Sequence, residues 1–341
     1  MKRFLAGAAI ALTCALAAGN GIAREAGPSE APVKAVGAER FTVTTPAGTG
    51  VVRLFSTGSL DGAPDAVRAL VVVHGLHRNA DAYEAAGEAA VRAGGAAAAR
   101  TIVVAPQFLV DVDVAAHGLS AQTLRWNRGA WIDGRPALGP APLSAFDVLD
   151  ALLARLSDRS RFPAMKEIVL AGHSAGGQFV QRYAVVGHGP AIAVAVRYVV
   201  ANPSSYVYFT SDRPQAGASA CPHFNDWKYG LVDPPPYVRN TAGLEAAYVA
   251  RRVTYLLGQL DTNPNHPLLD RSCSAELEGA YRLSRGRDYA SYLHARHPGG
   301  TNQDEVDVPG VDHNGTAMFT SPCGVAVLFG APLTNCAVTK V

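Results

Sequence analysis

The chain has 341 residues, 48% of them hydrophobic, with 30 basic and 28 acidic side chains and a formal net charge of +2. That length and apolar share suffice for one large buried core. No cluster of Lys and Arg provides the footprint that a nucleic acid needs, so nucleic acid is not an expected partner.

The N-terminus reads as an export signal over residues 1–23. Lys2 and Arg3 precede an uncharged run from Phe4 to Ala18, and Gly21-Ile22-Ala23 offers small residues for cleavage, with Ala15-Leu16-Ala17 the second choice. The run is shorter than the roughly 20 residues that span a bilayer. Leu12-Thr13 ahead of Cys14 is a poor lipoprotein site, so no stable membrane anchor is expected after cleavage. Both charged residues in this segment are basic, and without it the formal charges cancel. The expected destination is secreted or periplasmic.

Four cysteines follow: Cys221, Cys273, Cys323 and Cys336. An even count in an exported chain predicts two disulfides with three possible connectivities. Cys221–Cys273 and Cys323–Cys336 are favoured. No two cysteines stand two to four apart, which argues against zinc.

Residues 24–39, rich in Ala, Pro and Gly, read as a flexible lead-in to a single domain over 40–341. Arg40 to Thr44 and Val51 to Ser56 flank Pro46-Ala-Gly-Thr-Gly50 as a hairpin. Ala69 to Val73 is an apolar strand ending in His74-Gly75-Leu76-His77-Arg78-Asn79. An Ala-rich helix is expected from Ala80 to Arg100, and Thr101 to Ala105 is the next strand, stopped by Pro106. Residues 107–142 lack strong periodicity and carry Trp126 and Trp131. A loop so long is usually functional or disordered. Ser144 caps a helix to Leu156, with Asp147 three residues on and Phe146, Leu149, Leu152, Leu153 and Leu156 on one face.

The pattern then becomes most specific. Ile168 to Ala171 is a short apolar run, followed by Gly172-His173-Ser174-Ala175-Gly176-Gly177 and by Phe179, Val180 and Tyr183 at helical spacing. A serine on a tight strand-to-helix turn holds its hydroxyl clear of the backbone, and the flanking glycines let the chain fold back. The amide of Ala175 opens the helix and has no partner inside it. Tyr198 to Ala201 is a further strand, and an insertion over about 204–244 carries Cys221, Trp227 and Tyr229. Arg252 to Leu257 ends in Gly258-Gln-Leu-Asp261-Thr262. A helix spans about Ala275 to Ala295, Glu305 to Val308 is a last strand, and Pro309-Gly-Val-Asp-His313-Asn-Gly315 opens the final helix. Alternating strands and helices imply a mainly parallel sheet covered on both faces, with the leading hairpin as an antiparallel edge.

A serine hydroxyl becomes nucleophilic when a base takes its proton, and the base needs an orienting partner. Reactive groups in such sheets gather at the carboxyl ends of strands. Ser174, Asp261 and His313 all stand there, in the order serine, acid, base. His297, in His-Pro-Gly-Gly, is the runner-up base. The loop after the third strand should supply a second oxyanion donor, the Leu76 amide or else that of His77. His74 and His77 are expected to shape the pocket floor, with no metal. Trp126, Trp131, Trp227 and His173 are the candidates for substrate contact, the aromatics as large rigid surfaces.

On His74-Gly-Leu-His-Arg-Asn-Ala-Asp-Ala-Tyr83, Gly172-His-Ser-Ala-Gly-Gly177, Gly258-Gln-Leu-Asp-Thr262 and His313, the chain resembles the α/β-hydrolase superfamily. It is most similar to the polyhydroxybutyrate-depolymerase and feruloyl-esterase branch, over about residues 69–320. His173 stands where that branch often has Leu, and Met318-Phe319 where it often has Trp. The resemblance implies a serine esterase that works through an acyl-enzyme without a cofactor. No Thr- or Pro-rich linker with a second aromatic-rich module of a modular depolymerase is recognised, so the expected substrate is a small ester or soluble polyester oligomer. A peptidase or amidase of the same fold, and a non-catalytic binding protein that kept it, are the other readings.

Overall fold

The computed structural model describes residues 30–189 and 194–341, and the expected export signal lies outside them. Among the described residues, nine strands form one sheet in the order β1-β2-β4-β3-β5-β6-β7-β8-β9. The N-terminal edge is the hairpin of β1 (Glu39–Thr45) and β2 (Gly48–Ser56), antiparallel as expected. Its turn is tighter than Pro46 to Gly50: Thr45 already pairs with Gly48. Phe41 and Val43 alternate inward along β1, the period of a half-buried strand.

Then β3 (Arg68–Val73), β4 (Thr101–Gln107), β5 (Glu167–His173), β6 (Ala195–Ala201), β7 (Arg252–Gly258) and β8 (Gln303–Val308) run parallel to one another. The short β9 (Val338–Lys340) closes the far edge antiparallel to β8. Its residues are exposed and show no apolar alternation, which hid it in the sequence.

Helices cover both faces because each central strand is apolar on both sides. Along β3, Val71 and Val73 face one cluster, and Leu70 and Val72 the other. On the second face lie α1 (Ala80–Gly94), α8 (Gly315–Thr320) and α9 (Pro322–Phe329), where Ala86, Ala90, Met318, Phe319 and Val327 pack. On the first lie α3 (Ala145–Leu156) and α4 (Ala175–Val186). Leu149, Leu152 and Leu156 of α3 are fully buried, each contributing about 1.5–3 kcal/mol. The Ser144 cap forms as expected: its Oγ accepts from the Phe146 amide at 3.0 Å, while Asp147 accepts from the Ser144 amide at 2.7 Å.

Glycines shorten two expected helices. The first ends at Gly94 because Gly95 turns to φ 50°, leaving only a 3-10 turn over Gly95–Ala98. The later one splits into α6 (Cys273–Glu276) and α7 (Arg282–Arg296), interrupted by Gly279 at φ 140°. The region 107–142 holds the short α2 (Asp111–Ala116) and a 3-10 turn, Ala130–Asp133.

The lead-in is tied down where it is described. The Val33 amide donates to Asp113 at 2.9 Å, and Gln107 binds both the Gly37 amide (3.1 Å) and the Ala35 carbonyl (3.0 Å). These polar partners, which composition does not reveal, hold residues 33 to 37 against the body. The segment 204–244 ends in α5 (Leu244–Val249) and is secured to the body. The Trp227 indole donates to the Asp133 carbonyl at 2.7 Å, and Cys221 is bonded to Cys273. Cys323 is bonded to Cys336, so both favoured pairs form. With sequence separations of 52 and 13, loop-closure entropy gives them about 4 and about 3 kcal/mol.

Candidate active site

Three strand ends converge above the sheet. At the end of β5, Ser174 takes φ 60°, ψ −121°, a conformation L-residues avoid, between strand and α4. Close packing makes its glycines obligatory. A Cβ on Gly172 would lie 2.2 Å from the Gly176 carbonyl oxygen, and one on Gly176 would lie 2.2 Å from that of Val73. The turn therefore presses against the end of β3, and the Ser174 amide donates to the Ala201 carbonyl at 3.0 Å.

Asp261 follows β7 and His313 follows β8. Nδ1 of His313 lies 2.7 Å from Oδ2 of Asp261, and Nε2 lies 2.9 Å from Oγ of Ser174. In the tautomer whose Nδ1–H donates to the carboxylate, bare Nε2 accepts a hydrogen bond from the serine hydroxyl. Both Asp261 and Ser174 are buried. The His313 pKa is lowered, first by burial and further by Arg282, against the opposing hydrogen bond from Asp261. The lowered pKa favours the neutral imidazole.

Asn202, at the end of β6, ties together the loops that carry Asp261 and His313. Its Oδ1 accepts from the Gly258 amide at 2.9 Å, and its Nδ2 donates to the Asp312 carbonyl at 3.4 Å.

The loop after β3 is braced from behind. His74 donates from Nδ1 to the Gly75 carbonyl at 2.8 Å and accepts the Phe108 amide on Nε2 at 3.0 Å. Burial pushes its pKa down to about 4, so it stays neutral. Arg78 at φ 57° forms a buried ion pair with Asp113 at 2.7 Å. Between these anchors the Leu76 amide has no acceptor among the described residues, while Leu76 and His77 line the cleft at Ser174. His74 is a brace behind the cleft wall rather than part of its floor.

His173 lies at the site: its ring centroid is 4.5 Å from that of His313, and its Nδ1 is 3.3 Å from the Tyr83 hydroxyl. Burial first, then the neighbouring His313, holds its pKa well below the usual histidine value. His297 is elsewhere, on Glu245 at 3.0 Å.

The tryptophans are a correction. Trp126 and Trp131 are fully buried around Phe108, with ring centroids 5.5 and 5.3 Å away, and Trp227 is buried against the 3-10 turn. None lines either cleft beside Ser174. Large apolar rings gain more from the core than from an open cleft, and aromatic content alone does not separate the two.

Two clefts meet at Ser174, sharing Leu76 and Leu268. One, about 250 Å³, is walled by His313, His173, His77 and Thr316. The other, about 870 Å³, is walled by Ala175, Gln178, Ser204 and Arg135. Sequence reasoning missed Leu268, Asn202, Tyr83 and Arg282. Arg282 is fully buried with Nη1 3.5 Å from Asp261 Oδ1. The signal was present: the buried face of α7 runs Arg282, Arg285, Gly286, Tyr289, Leu293, a helical stripe with arginines at apolar positions.

No family model matches the chain, and no curated protein matches it either. Solved structures do. A poly(aspartic acid) hydrolase from Sphingomonas sp. KT-1 is 25% identical, with a TM-score of 0.56 over 84% of this chain and 96% of its own. A poly(3-hydroxybutyrate) depolymerase from Bordetella parapertussis is 20% identical, with a TM-score of 0.58 over 87% of this chain and 92% of its own. With the parallel sheet, its antiparallel edge hairpin and the serine elbow, the likeness makes this chain an α/β-hydrolase-fold protein.

Proposed function

We propose that the protein is an exported serine hydrolase of carboxylic esters, acting on a small ester or a soluble polyester oligomer. The observation that carries the reading is the continuous hydrogen-bond chain Ser174–His313–Asp261 at a strained strand-to-helix turn. Ser174 Oγ attacks the ester carbonyl while His313 Nε2 takes its proton, and Asp261 holds the imidazole. The Ala175 and Leu76 amides, with His77 as neighbour, receive the oxyanion; one such donor typically contributes about 10²–10³ in rate. His313 returns the proton to the leaving alcohol as the carbon–oxygen bond breaks, and water releases the acid. No step calls for a cofactor. The two disulfides support an oxidising compartment, secreted or periplasmic.

The clefts sort the two halves of the substrate. His313 must reach the leaving oxygen, so the alcohol belongs in the smaller cleft that His313 walls, and the acyl group in the larger one beside Ala175 and Gln178. Nitrophenyl esters of graded acyl length, with a fluorophosphonate label, test the reading. Turnover and labelling should both disappear in Ser174→Ala, with kcat/KM lower by at least about a thousandfold. An unlabelled, inactive wild-type chain would refute it. The similar poly(aspartic acid) hydrolase favours an amidase as the second reading, which the same assay with peptide substrates distinguishes.

A further inference from the structure

The first turn of α7 stands directly behind the acid of the triad. The Leu283 amide donates to the Asp261 carbonyl at 3.2 Å, and Arg282 Nη1 reaches the Asp261 carboxylate at 3.5 Å. Arg282 Nε donates to Ser204 Oγ at 3.0 Å, and Nη2 lies 3.5 Å from Nδ1 of His266. Farther along the same turn, Arg285 donates to the Asp270 carbonyl at 2.9 Å. The loop between Asp261 and Asp270 is therefore pinned at both ends and in the middle. That loop carries Leu268, which walls both clefts, and His266, whose ring stands edge-on to His313 at 4.9 Å.

We propose that Arg282 is a positioning residue of the reaction: it fixes Asp261 against His313 from behind, moors the acid loop through His266, and sets its positive charge beside the base. The inference rests on the proposed role of the triad. A cation at this place disfavours a second positive charge on His313, so the base stays neutral and competent to lower pH. Burial brings Arg282 itself down to about 10, which leaves it a cation under any assay condition near neutrality. The other charged or titratable groups facing His313 are Asp261 and His266 on the acid loop, His173 at the end of β5, and Asp312 on its own loop. Both neighbouring histidines have lowered pKa values, burial being the first cause for each, so neither competes with Arg282 as the resident cation.

A lysine at this position would keep the charge but lose the planar, several-donor hold. A methionine would keep the bulk and lose both. The test compares wild type, Arg282→Lys and Arg282→Met by the pH dependence of kcat/KM and by NMR titration of the His313 ring, with circular dichroism to check folding. Losing the charge should move the acidic limb and the ring titration up by about one pH unit in Arg282→Met, with kcat down at least tenfold. Arg282→Lys should keep both near wild type while kcat falls severalfold. If the methionine chain does not fold, Arg282→Gln replaces it with the same expected shift, since it too lacks the charge but can still donate to Ser204. Superimposable titrations in wild type and a folded neutral variant would overturn the proposal. The ring titration needs no turnover, so an inactive wild type would count against the ester-hydrolase reading while leaving this measurement decisive.

Discussion

Gly176→Ala tests whether the serine turn works by close approach. A Cβ at this position would sit 2.2 Å from the Val73 carbonyl oxygen and 2.7 Å from that of His74, both backbone atoms. Ordinary contact begins at 3.4 Å, so α4 and the end of β3 must separate by about 1 Å, against packing that yields little. The end of β3 leads directly into Gly75 and Leu76, and α4 carries the Ala175 amide. The substitution thus forces apart the two candidate oxyanion donors without touching Ser174, His313 or Asp261. Overpacking of this kind costs about 1–3 kcal/mol, which at about 2–4 °C per kcal/mol lowers Tm by several degrees. A 1 Å misplacement can cost about 10²-fold in rate. The expected result is kcat lower by about a hundredfold on a short-chain ester, with KM changed less than threefold. Stopped-time hydrolysis alongside thermal unfolding by circular dichroism measures both. A variant with wild-type kcat and Tm would refute the close-approach argument, because no side chain at the clash can swing away to absorb it.

Ser174, Asp261 and His313 were legible as a candidate group because each follows a strand, and strand ends are marked twice: by an apolar run before them and by turn residues after. Ile168 to Ala171 before Gly172, Arg252 to Leu257 before Asp261, and Glu305 to Val308 before His313 follow this rule. The parts that escaped notice are held by burial of polar groups, which hydropathy treats as exposure. Arg282 and Arg285 sit on the inward stripe of α7, and Asp113 and Gln107 hold a lead-in that composition made look loose. The tryptophans failed for the converse reason, since apolar bulk in a long irregular segment is compatible with either a pocket wall or a core. Alanines after Gly94 favoured continuing the first helix, and one glycine at positive φ overrode them.

Two further perturbations separate the core from the site. Trp126→Phe should lower stability by about 1–2 kcal/mol through lost volume yet leave KM within twofold, because the indole lies in the core and its Nε1 has no hydrogen-bond partner among the described residues to lose; a tenfold rise in KM would restore it to the substrate pocket. His74 tests the brace through pH. Its folded pKa of about 4 lies below the ordinary 6.5, so the unfolded chain binds the extra proton first as pH falls. The stabilisation from keeping this imidazole neutral is complete above about pH 6.5 and disappears as pH falls toward 4, a swing of about 3 kcal/mol from one group. Urea unfolding at intervals from pH 7 to 4 should therefore lose less stability over this window in His74→Asn than in wild type, even if the variant starts lower. Parallel stability curves for the two chains would mean that His74 is not held neutral, and the bonds to Phe108 and Gly75 would then not be what fixes the loop that presents the Leu76 amide.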